Sequence, residues 1–476
     1  MVDGPEIWWV RRDLRLADNA ALHACADSGR PVIPLFILDL ERPRAPGGAG
    51  LWWLDKSLRA LAEALRRAGS PLVLRRGPTV KVLCEVAMET GASAVHFGRL
   101  YEGEDRGLEP EALAALCGAG VEAVAHAGSL LTEPGALRTG SGEPFKVYGP
   151  FWRALRARIG EVKPLPPVHR LRPPSTAPAS AALERWGLHP TRPDWSTAFV
   201  GRPGEAGARD ALDAFVREPL TRYAKERALP GRPSTARLSP HLHWGELSSR
   251  QVWAAACASA QASGADEQRE KFLSELAWRD FSHTVLQAHP RLGSENHLGR
   301  LGRLRTRRDP AGLEAWRRGR TGYPIVDAGM RELWSSGWMH NRVRMITASF
   351  LVKDLLLDWR EGERWFWDTL VDADEANNAI NWQWVAGTGP DASPFFRVFN
   401  PVTQGEKFDP EAVYVRRSIP ELAGLPDKWA HRPWEAPAQV LAEAGVELGR
   451  TYPRPIVDHG RARDRALAAY KGVMEG

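Results

Sequence analysis

WMHNRVRMITASFLVKDLLLDWREGERWFWDTLVDADEANNAINWQW, residues 338–384, sets six tryptophans around a long apolar run, an acidic turn and a cluster of asparagines. Val343, Ile346, Phe350, Leu351, Leu355 and Leu356 fall close to helical spacing, which predicts a largely buried helix over residues 339–359. The charged residues of that helix are then anomalous. Arg342 and Arg344 occupy its first turns, where a buried guanidinium must be paired or must meet an anion. Asp372 and Asp374 follow on a loop and are available partners. On these residues alone, an internal salt-bridge lattice and a binding site are both open.

Outward from this stretch the two halves of the chain read differently. Helical periods recur at residues 206–217, 248–259, 267–288, 313–318 and 325–335 without convincing strands, so the second domain is predominantly α. Residues 164–203, rich in Pro, Ser, Ala and Arg, read as a connector. Before it, apolar runs at 6–10, 31–38, 72–74, 94–97 and 121–124 alternate with helical stretches at 19–26, 51–68, 80–90 and 109–117, the first capped by Asp18. Such alternation predicts an α/β domain with a doubly wound parallel sheet. The expected division is 4–130 for that domain, 131–203 for the connector and 204–476 for the helical domain. Neither GxGxxG nor a P-loop is present. Ligands of such sheets sit beyond the C-terminal strand ends, which points to the loops after Leu38 and Phe97, with Asp39, Glu102, Glu104 and Asp105 as candidates.

Composition bounds the function. The four cysteines Cys25, Cys84, Cys117 and Cys257 show no metal-ligand spacing, which argues against zinc and disulfides and suits the cytoplasm. Apolar runs such as Val32–Leu38 are too short to span a bilayer, and the N-terminus lacks the features of a secretory signal. A net charge of +6 permits a polyanion partner. Thirteen of the twenty tryptophans lie beyond residue 240, an excess that suits core packing, stacking on a base or an isoalloxazine, and electron hopping between rings.

Three constellations can carry chemistry. Thr235-Ala236-Arg237-Leu238-Ser239 offers hydroxyls, a cation and backbone N–H groups in one loop, as a pyrophosphate requires, or else a helix cap. Glu275 and Trp278, with Arg279 adjacent, share a helix face: a core edge, or a carboxyl whose pKa is raised against an aromatic wall. His340, Asn341, Arg342, Arg344 and Met345 supply an amide, cations and a soft apolar contact within two turns. Asn378, Trp382 and Trp384 close the segment.

WVRRDLRLADNAAL (9–22), TARLSP (235–240), ELAWRDF (275–281), TGYPIVDAGMREL (321–333), WMHNRVRMITASFLVKDLLLDWREGE (338–363), DADEANNAINWQW (372–384), FFRVFNP (395–401) and QGEKFDP (404–410) together resemble the photolyase/cryptochrome family over essentially the whole chain. The resemblance is to its bacterial cyclobutane pyrimidine dimer photolyases, of the class III branch near plant cryptochromes. It implies FAD bound in a U shape in the helical domain and UV-damaged DNA as partner. A thymine dimer would be flipped out of the duplex beside the flavin, split by an electron from light-excited reduced flavin, and the electron returned. The enzyme would act as a monomer, off the membrane.

By resemblance, Tyr223, Thr235, Ala236, Arg237, Leu238, Ser239 and Phe272 would line the FAD phosphates and ribityl chain. Arg344 would pair with Asp372, with Asp374 near the flavin ring and Asn378 facing its N5, and Arg279 would also bind the cofactor. Glu275 and Asn341 would contact the dimer; Trp278, Met345 and Trp384 would wall it; Arg227, Arg342, Arg397 and Gln404 would meet DNA. Trp359 and Trp382 match the inner and middle members of the chain that photoreduces FAD. The usual outer tryptophan is replaced by Leu304-Arg305-Thr306-Arg307, leaving Trp365, Trp367 and Trp316 as candidate exits. His340-Asn341 departs from the His-His expected of a (6-4) photolyase, and four scattered cysteines do not supply an iron–sulfur cluster. A cryptochrome-type photoreceptor is the alternative. The family also implies an antenna chromophore, methenyltetrahydrofolate being favoured over a deazaflavin, with Tyr101, Glu102, Glu104 and Asp105 near it.

Overall fold

The computed structural model describes residues 4–102, 105–199, 201–391, 395 and 397–475. Strands β1 (Glu6–Val10), β2 (Val32–Leu38), β3 (Val73–Arg76), β4 (Ala94–Gly98) and β5 (Glu122–His126) pair in parallel in the order β3-β2-β1-β4-β5. β1 and β2 are buried along their whole length, because helices cover both faces of a parallel sheet. This is why they read as continuous apolar runs rather than alternating ones. Helices α1 (Ala20–Asp27), α2 (Gly48–Ala68), α3 (Thr79–Thr90) and α4 (Asp105–Gly118) make the crossovers. Trp8, Val10 and Phe36 enter one core with α1 and α2; Ile7, Trp9 and Leu35 enter the other with α3 and α4. The doubly wound sheet is therefore as the sequence predicts.

The cap of α1 is Asn19, which accepts from Leu22 N–H, and not Asp18. Asp18 instead ties distant segments together, accepting from Leu165 N–H at 2.8 Å and from the Ser248 hydroxyl. Within the 131–203 segment, α5 (Tyr148–Arg158) packs Phe151 and Leu155 against the helical half.

The helical half contains α6 (Glu205–Arg217), α7 (Tyr223–Glu226), α8 (Ser239–His243), α9 (Ser249–Ser263), α10 (Asp266–Ala288), α11 (Pro310–Arg317) and α12 (Pro324–Ser336). It continues through α13 (Asn341–Ser349), α14 (Trp359–Thr369), α15 (Glu375–Ala386), α16 (Pro401–Phe408) and α17 (Val413–Ser418), and ends with a helix over His459–Glu475. The expected single helix over residues 339–359 is not continuous. α13 passes into a π-helical turn at Phe350–Asp354, Leu356 turns left-handed at φ 53°, and Asp358 caps α14. The turn arises where two buried charges need partners that a regular helix would not present. Lys353 Nζ donates to the Arg397 carbonyl at 2.8 Å, and Asp354 pairs with His459 at 2.6 Å. No helix among the described residues is long and apolar enough to cross a membrane.

One buried carboxyl in α10 gives a stability test. Asp280 is fully buried; its Oδ1 accepts from Thr132 N–H at 2.9 Å while Oδ2 has no partner. Burial pushes this carboxyl up to about 7, although the Thr132 hydrogen bond works the other way. The folded chain thus binds the proton more tightly than the unfolded one. Its stabilising contribution is full below about pH 4 and is lost as pH rises through the interval up to the folded value. At about 1.4 kcal/mol per pKa unit the loss reaches a few kcal/mol. Asp280→Asn is therefore expected to gain Tm relative to the parent between pH 5 and pH 8. A difference that does not change with pH would contradict it.

Candidate active site

The loop carrying Thr235, Ala236 and Arg237 leads into α8, with Ser239 as its first residue. Arg237 adopts a left-handed φ of 49° and its guanidinium lies 4.4 Å over the ring of Trp338, whose indole N–H reaches Ser239 Oγ at 3.4 Å. Trp338, which sequence reasoning left without a role, is thus the seat of the loop. Leu238 is buried beneath it. Tyr223 stands edge-on to Phe272 at 5.3 Å; burial, with Glu275 nearby, pushes its hydroxyl up to about 12, so it remains a donor at neutral pH. His340 caps α13 by accepting from Arg342 N–H through Nδ1. Burial pushes its imidazole down to about 3, and Arg237, Arg344, Arg342 and Arg227 add to the effect. A neutral ring ringed by four guanidiniums marks a region built for an anion.

Beyond this loop lies a pocket of about 540 Å³, open mouth included, lined among others by Asn341, Arg344, Met345, Asp372, Asn378 and Trp382. Arg344 donates to Asp372 Oδ2 at 2.8 Å and to the Met339 carbonyl at 2.7 Å. Asp372 Oδ1 and the Trp382 indole N–H are buried with no protein partner. Leaving such groups unsatisfied is costly, so an acceptor and a donor in one pocket wall fit a planar ligand with a polar edge. The Asn378 amide N–H₂ donates to Glu363 Oε1 at 2.9 Å and to its carbonyl at 3.1 Å, leaving Oδ1 to the pocket. Glu363 in turn takes Arg44 at 2.6 Å. Asp374 caps α15 and receives Arg279 at 2.9 Å. Burial would raise that carboxyl, but Arg279, His283 and His243 together outweigh it and hold Asp374 well below the usual range. Gly362 admits Trp382: a Cβ there would lie 2.0 Å from the indole.

At the pocket mouth, Glu275 sits between Arg227 and Lys271, each at 2.7 Å. Trp278, on the same face of α10, stacks on Tyr148 at 3.8 Å and 11°; burial raises the Tyr148 hydroxyl, and Glu275 is close enough to add to it. Arg342 lies over Phe408 at 4.5 Å, and α16 carries Gln404 one turn before that ring. Arg342 is lowered by burial and by Arg227, so these cations share one surface. Asn341 is exposed at the start of α13, Met345 and Trp384 are half-buried, and Arg397 is exposed. α10, bearing Trp278, packs against α15, bearing Trp384.

The tryptophans separate into distinct positions. Trp382 lines the pocket, whereas Trp359 does not; its indole N–H donates to Asn296 at 2.8 Å. Trp382 is therefore the ring nearest the pocket. Trp316 is 6.2 Å from Trp382, Trp365 stacks at 5.9 Å on the exposed Trp334, and Trp367 lies under Arg44 at 3.9 Å. Thr306, at the place of the missing outer ring, is at the surface.

A second pocket lies between the domains beyond the C-terminal ends of β1 and β2. Arg11, Arg12, Arg42 and Arg44 line it. Asp39 there is engaged by Thr79 through N–H at 3.0 Å and hydroxyl at 2.9 Å, and Glu102 by Arg12 at 2.6 Å. Tyr101 donates to Glu133. Glu104 and the side chain of Asp105 lie outside the described residues.

Residues 6–171 match the DNA photolyase family, and residues 272–472 match the FAD binding domain of DNA photolyase. The chain is 49% identical to the deoxyribodipyrimidine photo-lyase of Agrobacterium fabrum over 99% of its own length and 98% of that protein's. The chain belongs to the photolyase/cryptochrome family. Cryptochrome-2 of Arabidopsis thaliana is 39% identical over 100% of the chain and 80% of its own length. The crystal structure of a bacterial class III photolyase from Agrobacterium tumefaciens superimposes with a TM-score of 0.97 at 49% identity, covering 99% of this chain and 98% of that one. Within a photolyase-type fold the paired Arg344–Asp372, the orphaned Asp372 Oδ1 and the unpartnered Trp382 N–H fit the ring of an FAD. Glu363, Arg44 and Tyr148 were missed from the sequence. Glu363 alone left a signal, an acid between Gly362 and Phe366 on a helix face that is otherwise apolar or aromatic.

Proposed function

We propose that the protein is a deoxyribodipyrimidine photo-lyase that splits cyclobutane pyrimidine dimers in UV-damaged DNA under blue light. It would act as a cytoplasmic monomer, with residues 4–130 as the antenna domain, 131–203 as connector and 204–476 holding FAD and DNA. The observation that carries the reading is the pocket in which Asp372 Oδ1 and the Trp382 N–H are buried without partners, with Arg342, which feels Arg227 and Glu275, reaching Met345 of its lining.

When bound, reduced FAD supplies the light-excited electron and receives it back. Thr235, Ala236, Arg237, Leu238, Ser239, Tyr223 and Phe272 hold its phosphate and ribityl portion. Arg344, Asp372, Asp374 and Arg279 fix the ring, and Asn378, with its amide nitrogen taken by Glu363, offers Oδ1 at N5. Glu275 is ion-paired and so serves as an acceptor for the dimer. Charge developing on the dimer carbonyls is met by Asn341 and the neighbouring Arg227, Lys271 and Arg342. Trp278, Met345 and Trp384 wall the flipped dimer, while Arg397 and Gln404 hold the backbone beside it.

Light-dependent loss of dimers from an irradiated oligonucleotide tests the reading. Flavin photoreduction without dimer loss would instead assign the chain to the cryptochrome-type photoreceptors. Arginine contacts to phosphate make affinity salt-dependent: raising salt from 50 to 200 mM should weaken binding by roughly tenfold or more while the preference for damaged DNA persists. A salt-independent Kd would contradict phosphate contact by these residues.

The arginine-lined interdomain pocket suits a chromophore with carboxylates, and we assign it to methenyltetrahydrofolate. A near-UV band beside the flavin absorption, its position separating folate from deazaflavin, checks this. Ring contact makes the fully buried Trp316 a relay from Trp382 toward the surface, where the outer tryptophan is missing. Trp316→Phe is expected to slow photoreduction of oxidised flavin several-fold, with Trp365→Phe/Trp367→Phe as the competing route. Unimpaired Trp316→Phe removes the first; unimpaired double variant removes the second.

A further inference from the structure

Three residues far apart in the chain converge away from both pockets. Glu6 opens β1, Cys25 lies near the end of α1 and His96 is in β4. Glu6 and Trp8 share a face of β1, and Trp8 pairs with His96, so Glu6 and His96 project to the same side of the sheet. α1 covers that side and delivers Cys25, which is fully buried. One carboxylate oxygen, the thiol sulfur and one ring nitrogen all lie within 4.8 Å of one another.

The protein satisfies these groups only in part. Glu6 Oε2 is buried without a hydrogen-bond partner, and the Glu6 side chain is only 9% exposed. Its other oxygen meets Arg30 Nε at no closer than 3.9 Å. His96 Nε2 stands 3.4 Å from Glu6 Oε2, close to the roughly 3.3 Å edge expected between two ligands of a tetrahedral zinc ion. The other nitrogen, Nδ1, is 3.0 Å from His126 Nε2. Metal-bound histidines characteristically donate that second N–H to an acceptor, which fixes the tautomer that leaves Nε2 free to ligate.

We propose that Glu6 Oε2, Cys25 Sγ and His96 Nε2 form a binding site for a borderline-soft divalent cation, zinc being the best match, with His126 orienting His96 and water as fourth ligand. The set mixes carboxylate, thiolate and imidazole, which suits zinc and disfavours magnesium or calcium. Binding forms one Zn–S bond and transfers the Cys25 thiol proton to solvent; no redox change is involved. All three ligands stand on rigid elements, so the ion would join β1, β4 and α1 as a staple independent of the flavin and DNA sites.

The test uses tag-free, flavin-containing full-length protein, stripped with chelator and titrated with Zn²⁺ alone. Expected are one zinc per chain, a raised Tm, and X-ray absorption showing one sulfur among otherwise nitrogen and oxygen ligands. Cys25→Ser should weaken binding at least tenfold, with flavin content reporting that it is folded. Cys84→Ser/Cys117→Ser/Cys257→Ser, which leaves Cys25 as the single thiol, should keep the sulfur signal. Substoichiometric zinc, a first shell without sulfur in that triple variant, or Cys25→Ser binding as tightly as the parent would each overturn the proposal.

Discussion

Asp372→Ala is expected to purify with less than a tenth of the parent's flavin. Asp372 is 2% exposed at its side chain and is the carboxylate partner of Arg344 at 2.8 Å. Removing one member of a buried pair typically costs about 3–5 kcal/mol, because the other charge is left uncompensated. Arg344 is 24% exposed, so solvent screens it and roughly half that figure is the better expectation. With about 1.4 kcal/mol per factor of ten, the flavin affinity falls more than tenfold. The loss of Oδ1, buried without a protein partner, adds to it. Asp372→Asn keeps an acceptor oxygen and loses only the charge, so it should fall between the two. The flavin-to-protein absorbance ratio reads the outcome, and an Asp372→Ala protein with the parent's flavin content would remove this residue from the site.

Trp278→Ala is expected to raise the Kd for dimer-containing DNA roughly 5- to 150-fold while leaving the Kd for undamaged DNA nearly unchanged. Stacking of a base on an aromatic ring is worth about 1–3 kcal/mol. The indole has one face on Tyr148 at 3.8 Å, which holds it rigidly and leaves the opposite face available. On the proposed reading, undamaged duplex would be held through phosphates by Arg227, Arg342 and Arg397, none of which the substitution touches. The ratio of the two affinities therefore separates a stacking role from general loss of structure, which would lower both. Trp278→Phe, retaining a smaller ring on Tyr148, should recover most of the discrimination. Equal weakening for both DNAs would exclude stacking on the damage.

Parts of this architecture were legible because the physics that dictates them is local. β1 and β2 lie inside a parallel sheet and must be apolar on both faces, and the amphipathic crossovers repeat between them. That Arg342 or Arg344 would find a partner in Asp372 or Asp374 was readable, because a guanidinium in an apolar helix needs a carboxylate. The continuous helix expected over residues 339–359 failed for the opposite reason. Lys353 and Asp354 find their partners at the Arg397 carbonyl and on His459, 44 and 105 positions away, and the backbone yields a π-turn to reach them. Helical periodicity carries no trace of such partners.

Glu275 shows the same limit at the site. Its neighbour Trp278 on the helix was legible as an aromatic face, but the cations that clasp the carboxylate, Arg227 and Lys271, and the Tyr148 ring behind the indole were not. Asn378 is similar: the sequence placed it, but its amide orientation depends on Glu363 and on Arg44, 319 residues before Glu363.

By itself, then, the sequence determined the doubly wound sheet, the helical second domain and the family, and it named half of the residues lining the pocket in the helical half, since each follows from periodicity or from ordered motifs along the chain. Only the tertiary structure decided which charges pair, which ring stands next to the pocket, and that Glu6, Cys25 and His96 meet. Those outcomes depend on side chains tens to hundreds of positions apart sharing a low-dielectric interior, where an unpartnered polar group is costly and no local pattern records who satisfies it.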